Sequence, residues 1–179
     1  MATAPTAPLV SVEEYLRTDY EPNTEYLDGV LKPKALSDRI HARLQVLIAA
    51  YLLALEKKFG LDILTELHAR VAATRFRIPD VCALTKPPTD GRYDVDSPPL
   101  FTIEIVSKGE PWTDLRDKMA DHLAMGVPTV IIADPYSKTV MVATQSEPVH
   151  EIGSPLIVPI PVPDMGILDI DFDALYSQL

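Results

Sequence analysis

Two apolar, β-branched runs in this chain each carry one carboxylate where a folding core has no use for it. The first is Arg77-Ile78-Pro79-Asp80-Val81 and the second is Phe101-Thr102-Ile103-Glu104-Ile105-Val106-Ser107. An unpaired carboxylate in such a setting costs several kcal/mol. Two of them on neighbouring strands repel each other unless a proton or a cation sits between them. If the two runs lie on neighbouring strands, the acids need a shared counter-charge. Pro79 cannot donate to a ladder and suits a strand start or edge, which puts Asp80 at the first position of its strand. Glu104 shares a sheet face with Thr102 and Val106, because side chains alternate. Hard cations such as Mg²⁺ take one or two carboxylates, with water and substrate phosphate completing the shell. The pair reads as the skeleton of a divalent-metal site. The competing reading has Asp80 capping a loop and Glu104 facing solvent on an edge strand.

Local signals order the rest of the chain. Residues 1–10 are small and proline-rich and are expected to form a loose arm, with residues 11–179 as a single domain. Ser11-Val12-Glu13-Glu14 has the form of a capping box for a short helix. Glu25 to Lys32 reads as a β-hairpin turning at Asp28-Gly29. Ser37 or Asp38 caps the strongest helix, in which Ile40, Leu44, Leu47, Ile48, Tyr51, Leu52 and Leu55 recur at helical spacing before Gly60. Strand patterns follow at about 62–68, 70–77, 80–85 and 100–107, with a proline- and glycine-marked loop at 86–99. A second long helix is expected from Trp112 to about Ala124, stopped by Gly126. Strands at 128–133 and 138–144 pair across the turn Asp134-Pro135-Tyr136-Ser137. The proline-rich stretch 154–163 is an edge or extended piece, and Phe172 to Tyr176 forms a last helical turn. The fold class is α/β (α+β): a mixed sheet flanked by helices.

Charge and composition exclude several classes. The net charge is -10, which argues against broad adhesion to phosphate backbones. Lys32, Lys34, Arg39, His41 and Arg43 nevertheless cluster early, so a local basic rim is compatible with the acidic total. The single cysteine, Cys82, lies in the apolar run Val81-Cys82-Ala83-Leu84 and reads as a small buried hydrophobe. Four scattered histidines do not make a zinc site. Ser107 lacks a Gly-x-Ser-x-Gly elbow, and no glycine-rich phosphate loop is present. No signal peptide or membrane span is visible, so a cytoplasmic protein without membrane contact is expected.

Further matches accompany the two acidic runs. Glu25 precedes Asp28-Gly29, and His41 lies in the first long helix. Glu104 to Ser107 forms Glu-x-x-Ser, and Asp114 with Lys118 forms Asp-x-x-x-Lys. Gly126-Val127-Pro128 and Asp134-Pro135 follow in order. In this the chain resembles the Uma-two family of restriction-endonuclease-like proteins, which have the PD-(D/E)XK nuclease fold. The resemblance implies a restriction-endonuclease-like mixed sheet with an N-terminal hairpin. It also implies that Asp80 and Glu104 bind Mg²⁺ or Mn²⁺, that Glu25 adds a further acid, and that a lysine positions the attacking water. The archetypal lysine stands two residues after the second acid, where this chain has Val106. Lys118 on the next helix and Lys108 just past the strand are the substitutes. By the same resemblance His41 lies near the site, while Ser107 reads as an orienting hydroxyl or strand-end cap. On helical spacing alone, Asp114 and Lys118 would be an exposed ion pair.

Three departures bear on the pocket's shape and substrate. Lys108 stands where proline is usual and His122 where tyrosine is usual, and Thr129-Val130-Ile131 lacks the usual Tyr-Trp. The expected activity is metal-dependent hydrolysis of phosphodiester bonds in DNA. The alternative is a nuclease-fold module, weak or inactive, that serves binding or regulation. A carboxylate-pair glycosidase is a distant third, for want of aromatic sugar platforms. A homodimer is a further expectation, with Leu156, Ile157, Val158, Ile160 and Val162 available for pairing between subunits.

Overall fold

Local stop and start signals become elements at the places where they stand. The structure is a computed structural model and describes residues 9–85, 94–95 and 97–179. Helix α1 (Val12–Arg17) opens on Ser11, whose hydroxyl accepts from the Glu14 amide at 3.1 Å. Strands β1 (Thr24–Leu27) and β2 (Val30–Pro33) form the hairpin, and Asp28 and Gly29 both have positive φ, 52° and 94°. That turn supplies the twist a two-residue loop needs. Of the expected N-terminal arm, residues 1–8 lie outside the described residues. Val10 is tied to the hairpin by its amide on the Gly29 carbonyl, 2.9 Å, and by its own carbonyl, which accepts from the Tyr26 hydroxyl at 2.8 Å.

Helix α2 (Arg39–Phe59) begins at Asp38, which accepts from the amides of Ile40 and His41, and ends at Gly60 in the left-handed region. Four strands follow, β3 (Asp62–Thr65), β4 (His68–Ala72), β5 (Arg75–Arg77) and β6 (Val81–Leu84): β4 and β5 form a hairpin, and β3 pairs with β6 around it. The sequence pattern ran 62–68 together as one strand. The chain instead turns at Glu66, a non-glycine at φ 54°, a position no local turn residue announces. Most of the expected 86–99 loop lies outside the described residues, apart from β7 (Asp94–Val95) and residues 97–99. Beyond it come β8 (Phe101–Ile105), α3 (Trp112–Met125), β9 (Thr129–Asp134), β10 (Thr139–Thr144) and β11 (His150–Glu151). The chain finishes with β12 (Ile157–Val162), β13 (Gly166–Asp171) and α4 (Phe172–Tyr176).

The central sheet is six-stranded and mixed, in the order β11-β10-β9-β8-β6-β3, with β8 antiparallel to β6 and parallel to β9. Its two faces are apolar against different helices. Val81, Ala83, Ile103, Ile105 and Ile131 pack with Leu44, Ile48 and Leu52 of α2, while Val130, Ile132 and Ala143 pack with Leu115 and Met119 of α3. Each fully buried aliphatic side chain is worth about 1.5–3 kcal/mol, so the layer can tolerate charges at its end. A second sheet, β2-β1-β5-β4-β7, also contacts α3 through β4 and β5. The proline-rich stretch pairs with β13 as a two-stranded ribbon. Val158, Ile160 and Val162, expected to be available between subunits, are buried in the chain's own core.

Candidate active site

The register Val81↔Ile103 and Cys82↔Thr102, extended by one residue, sets Asp80 opposite Glu104 at one end of the central sheet. The backbone confirms the closeness, since the Ile105 amide donates to Asp80 Oδ2 at 2.7 Å. Both acids are buried, Asp80 at 2% and Glu104 at 1% exposure. They are neither a loop cap nor a solvent-facing edge pair.

Each carboxylate carries one lysine and one histidine. At Asp80, Lys34 Nζ donates to Oδ1 at 2.8 Å and His41 Nε2 lies 3.3 Å from Oδ2. At Glu104, Lys118 Nζ lies 3.4 Å from Oε2 and His122 Nε2 lies 3.2 Å from Oε1. Burial by itself pushes both carboxyls up. At Asp80 the His41 hydrogen bond and the Lys34 charge outweigh it, holding the group below the usual carboxylate range. At Glu104 the Lys118 charge and the His122 hydrogen bond do the same against the repulsion of Asp80. Burial likewise favours neutral lysines, yet Asp80 and Glu104 around Lys34, and Glu104, Glu25 and Glu110 around Lys118, keep both ammoniums charged well above the ordinary range. The Nδ1 atoms of His41 and His122 are buried and have no hydrogen-bond partner among the described residues.

Beside this cluster lies a cleft of about 250 Å³ lined by Glu25, Lys32, Lys34, Lys108, Glu110 and Lys118, among others. Lys118 reaches it with one donor on Glu110, 2.9 Å, and one directed to Glu104. An ammonium has three donors, so among the described residues one remains for the cleft. Lys108 is exposed at the rim with no ion-pair partner among the described residues. Asp114 does not pair with Lys118, as helical spacing suggested, but with Lys32 at 2.7 Å from across the cleft. Ser107 is buried at the end of β8, where its amide donates to Glu110 and its carbonyl accepts from the Glu110 amide.

Glu25 is committed elsewhere. Its Oε2 accepts from Arg77 Nη1 at 2.8 Å and its Oε1 from the Ile78 amide at 3.3 Å. Arg77 also grips Asp121 of α3 through Nη2 at 2.6 Å and Nε at 2.7 Å. Glu25 therefore lines the cleft wall as the partner of a buried arginine, and its charge also reaches Lys118. Among the described residues no three His, Cys, Asp or Glu side chains converge as ready metal ligands.

The family model described as "Putative restriction endonuclease" (Uma2) matches residues 12–167. The chain belongs to the Uma2 family. A crystal structure of a "putative nuclease belonging to DUF820" from Anabaena variabilis ATCC 29413 superposes with a TM-score of 0.80 at 21% identity, covering 94% of this chain and 98% of that one. At that identity the likeness shows that the two chains share a fold. A cryoEM structure of a DrdV–DNA complex aligns over 78% of this chain and 91% of that one, at 17% identity and a TM-score of 0.35. No curated protein matches. Among the described residues of this Uma2 chain no helix is long and apolar enough to cross a membrane.

Sequence reasoning did not single out Lys34, Glu66, Gln45 or Glu110 for the site. Glu66 accepts from Lys34 at 2.9 Å and from Gln45 at 3.0 Å, and Gln45 also donates to the Asp80 carbonyl at 3.0 Å. The early basic cluster was the available signal for Lys34. Glu66 offered none, and Gln45, a lone polar residue between Leu44 and Val46, could not be told from one on the helix's outer face.

Proposed function

We propose that this Uma2 protein is a metal-dependent endonuclease that hydrolyses phosphodiester bonds in DNA. The observation that carries the reading is the opposed pair Asp80 and Glu104, with Lys118 holding one unused donor over the adjoining cleft. The donor set fits a hard cation. Asp80 Oδ1, Glu104 Oε1 and Glu104 Oε2 each have a single partner among the described residues, which leaves carboxylate lone pairs for an ion that also takes water and phosphate. Held by these two residues, Mg²⁺ or Mn²⁺ would lower the pKa of bound water and offset charge on the phosphoryl oxygens.

The protein's own groups do the rest. Lys118 orients the attacking water with its free N–H and stabilises the anionic transition state. Glu110 and Glu104 keep it protonated. Lys32 and Lys108 give the cleft a basic rim that draws a phosphate backbone in, despite the acidic total charge. His41 and His122 fix the rotamers of the two acids.

The test is Mg²⁺- and Mn²⁺-dependent cutting of supercoiled, linear and single-stranded DNA, with Asp80→Asn as control. A wild-type protein that cuts none of these under either metal overturns the proposal. A second reading, a binding or regulatory module, is favoured by the protein groups already engaging every oxygen of the acidic pair. Titration calorimetry separates the two: Mn²⁺ binding without DNA affinity at low salt supports the module.

A further inference from the structure

The Lys34 ammonium makes three contacts, and each ends on oxygen. They are Asp80 Oδ1 at 2.8 Å, Glu66 Oε2 at 2.9 Å and the Ile78 carbonyl at 2.9 Å. Three contacts exhaust the donors of an ammonium, so Lys34, unlike Lys118, has nothing left for water or substrate. Its side chain is only 13% exposed. Two carboxylate oxygens and one carbonyl converging on a single buried point are the donor chemistry that hard cations select.

The cage is held from outside. Glu66 stands at φ 54°, in the left-handed region, which a Cβ disfavours. Its carboxylate is braced by Asn23 at 3.3 Å and by Gln45 at 3.0 Å. Gln45 fixes the other side through the Asp80 carbonyl.

We infer that the Lys34 ammonium fills a divalent-cation position formed by Glu66, Asp80 and the Ile78 carbonyl, so that the cluster accepts one exogenous ion rather than two. The inference rests on the proposed function only in assigning that one ion to Asp80 and Glu104. A fixed single charge here neutralises Asp80 from one side and leaves its other neighbour, Glu104, to share the ion. Removing the ammonium leaves two carboxylates and a carbonyl around a cation-sized gap. A shift from ammonium contacts to ion contacts of roughly 2.1 Å closes it.

The test compares Lys34→Met with the wild type, counting bound Mn²⁺ by titration calorimetry and by electron paramagnetic resonance of the free ion. The expected result is one more Mn²⁺ on the variant than on the wild type, and loss of that extra ion when Glu66→Gln is added. Equal counts, an extra ion that survives Glu66→Gln, or two ions on the wild type overturn the inference. Should Lys34→Met be unfolded without metal, circular dichroism decides. Refolding in millimolar Mn²⁺ supports the cation position, and a chain that stays unfolded refutes it. A wild-type count of zero defeats the metal reading of Asp80 and Glu104 alone, since the difference between variant and wild type is still read.

Discussion

Lys118 Nζ on α3 stands 3.4 Å from Glu104 Oε2 on β8, a meeting of two elements that the β8–α3–β9 connection folds back on each other. The lysine of the archetypal motif is absent from the strand, and one helix turn past Asp114 delivers an ammonium to the same acid. Lys118→Met should then lower metal-dependent DNA cleavage by about 10²-fold or more, in line with losing a transition-state donor. Lys108→Ala, at the exposed rim, should cost less than about 10-fold and act mainly on apparent DNA affinity. Steady-state cleavage with circular dichroism of both variants checks this. The reverse ranking would move the catalytic assignment to Lys108.

Asp80→Asn should abolish cleavage and also lower stability. The sequence alone suggests an unchanged or raised melting temperature, because a buried charge is removed. In the structure that charge is the partner of Lys34, His41 and the Ile105 amide. Weakening charged hydrogen bonds costs about 2 kcal/mol, or a Tm lower by about 4–8 °C in a domain of this size. Thermal melts without metal measure it.

Acid should destabilise the fold through the same pair. Asp80 and Glu104 are held below the ordinary carboxylate range in the folded chain. Unfolded, they take up protons at about pH 4. Their contribution is thus present above that pH and is lost as pH falls toward the folded values. Tm should decline progressively below about pH 5, and more steeply in wild type than in Asp80→Asn. A wild-type Tm that is flat between about pH 6 and 3 contradicts the assignment.

Arg77→Met should be among the most damaging single changes, because it leaves the buried Glu25 with the Ile78 amide and no charged partner, and leaves Asp121 with Arg75. Breaking a buried pair from one side costs about 3–5 kcal/mol. Adding Glu25→Gln should recover part of that loss, and a double-mutant cycle in urea gives the coupling.

Asp38→Ala is the contrasting case. It removes the N-cap of α2 and the acceptor of the Tyr136 hydroxyl at 2.9 Å. The expected cost is about 1 kcal/mol, a Tm lower by about 2–4 °C, with cleavage unaltered.

Features governed by near neighbours could be read from the sequence. Asp28-Gly29, Gly60 and Gly126 each stand where backbone sterics require them, and the hairpin and both long helices end there. Asp80 and Glu104 were visible as charges in apolar runs, and His41 and Lys118 through the family pattern. The partners of those charges were not. Lys34 reaches Asp80 over 46 residues and Glu66 over 32, distances at which no periodicity reports contact. Asp114 shows the same limit from the other side. Its helical neighbour Lys118 was the obvious mate, yet Lys32, 82 residues away, took it because Lys118 turns inward to Glu104 and Glu110. The turn at Glu66 escaped because its left-handed backbone is held by tertiary bonds rather than by a glycine.

Helix α3 sends Lys118, Asp121 and His122 to the charged cluster from adjoining turns of one flank. A helix advances about 100° per residue. A single inserted residue near Leu115 would put Asp117, the small Ala120 and Asp121 where Lys118, Asp121 and His122 now stand, and a deletion would put Met119, His122 and Leu123 there. Sequence drift in this helix is consequently confined to substitution: its length upstream of Lys118 is as tightly prescribed as the identity of any one side chain it carries.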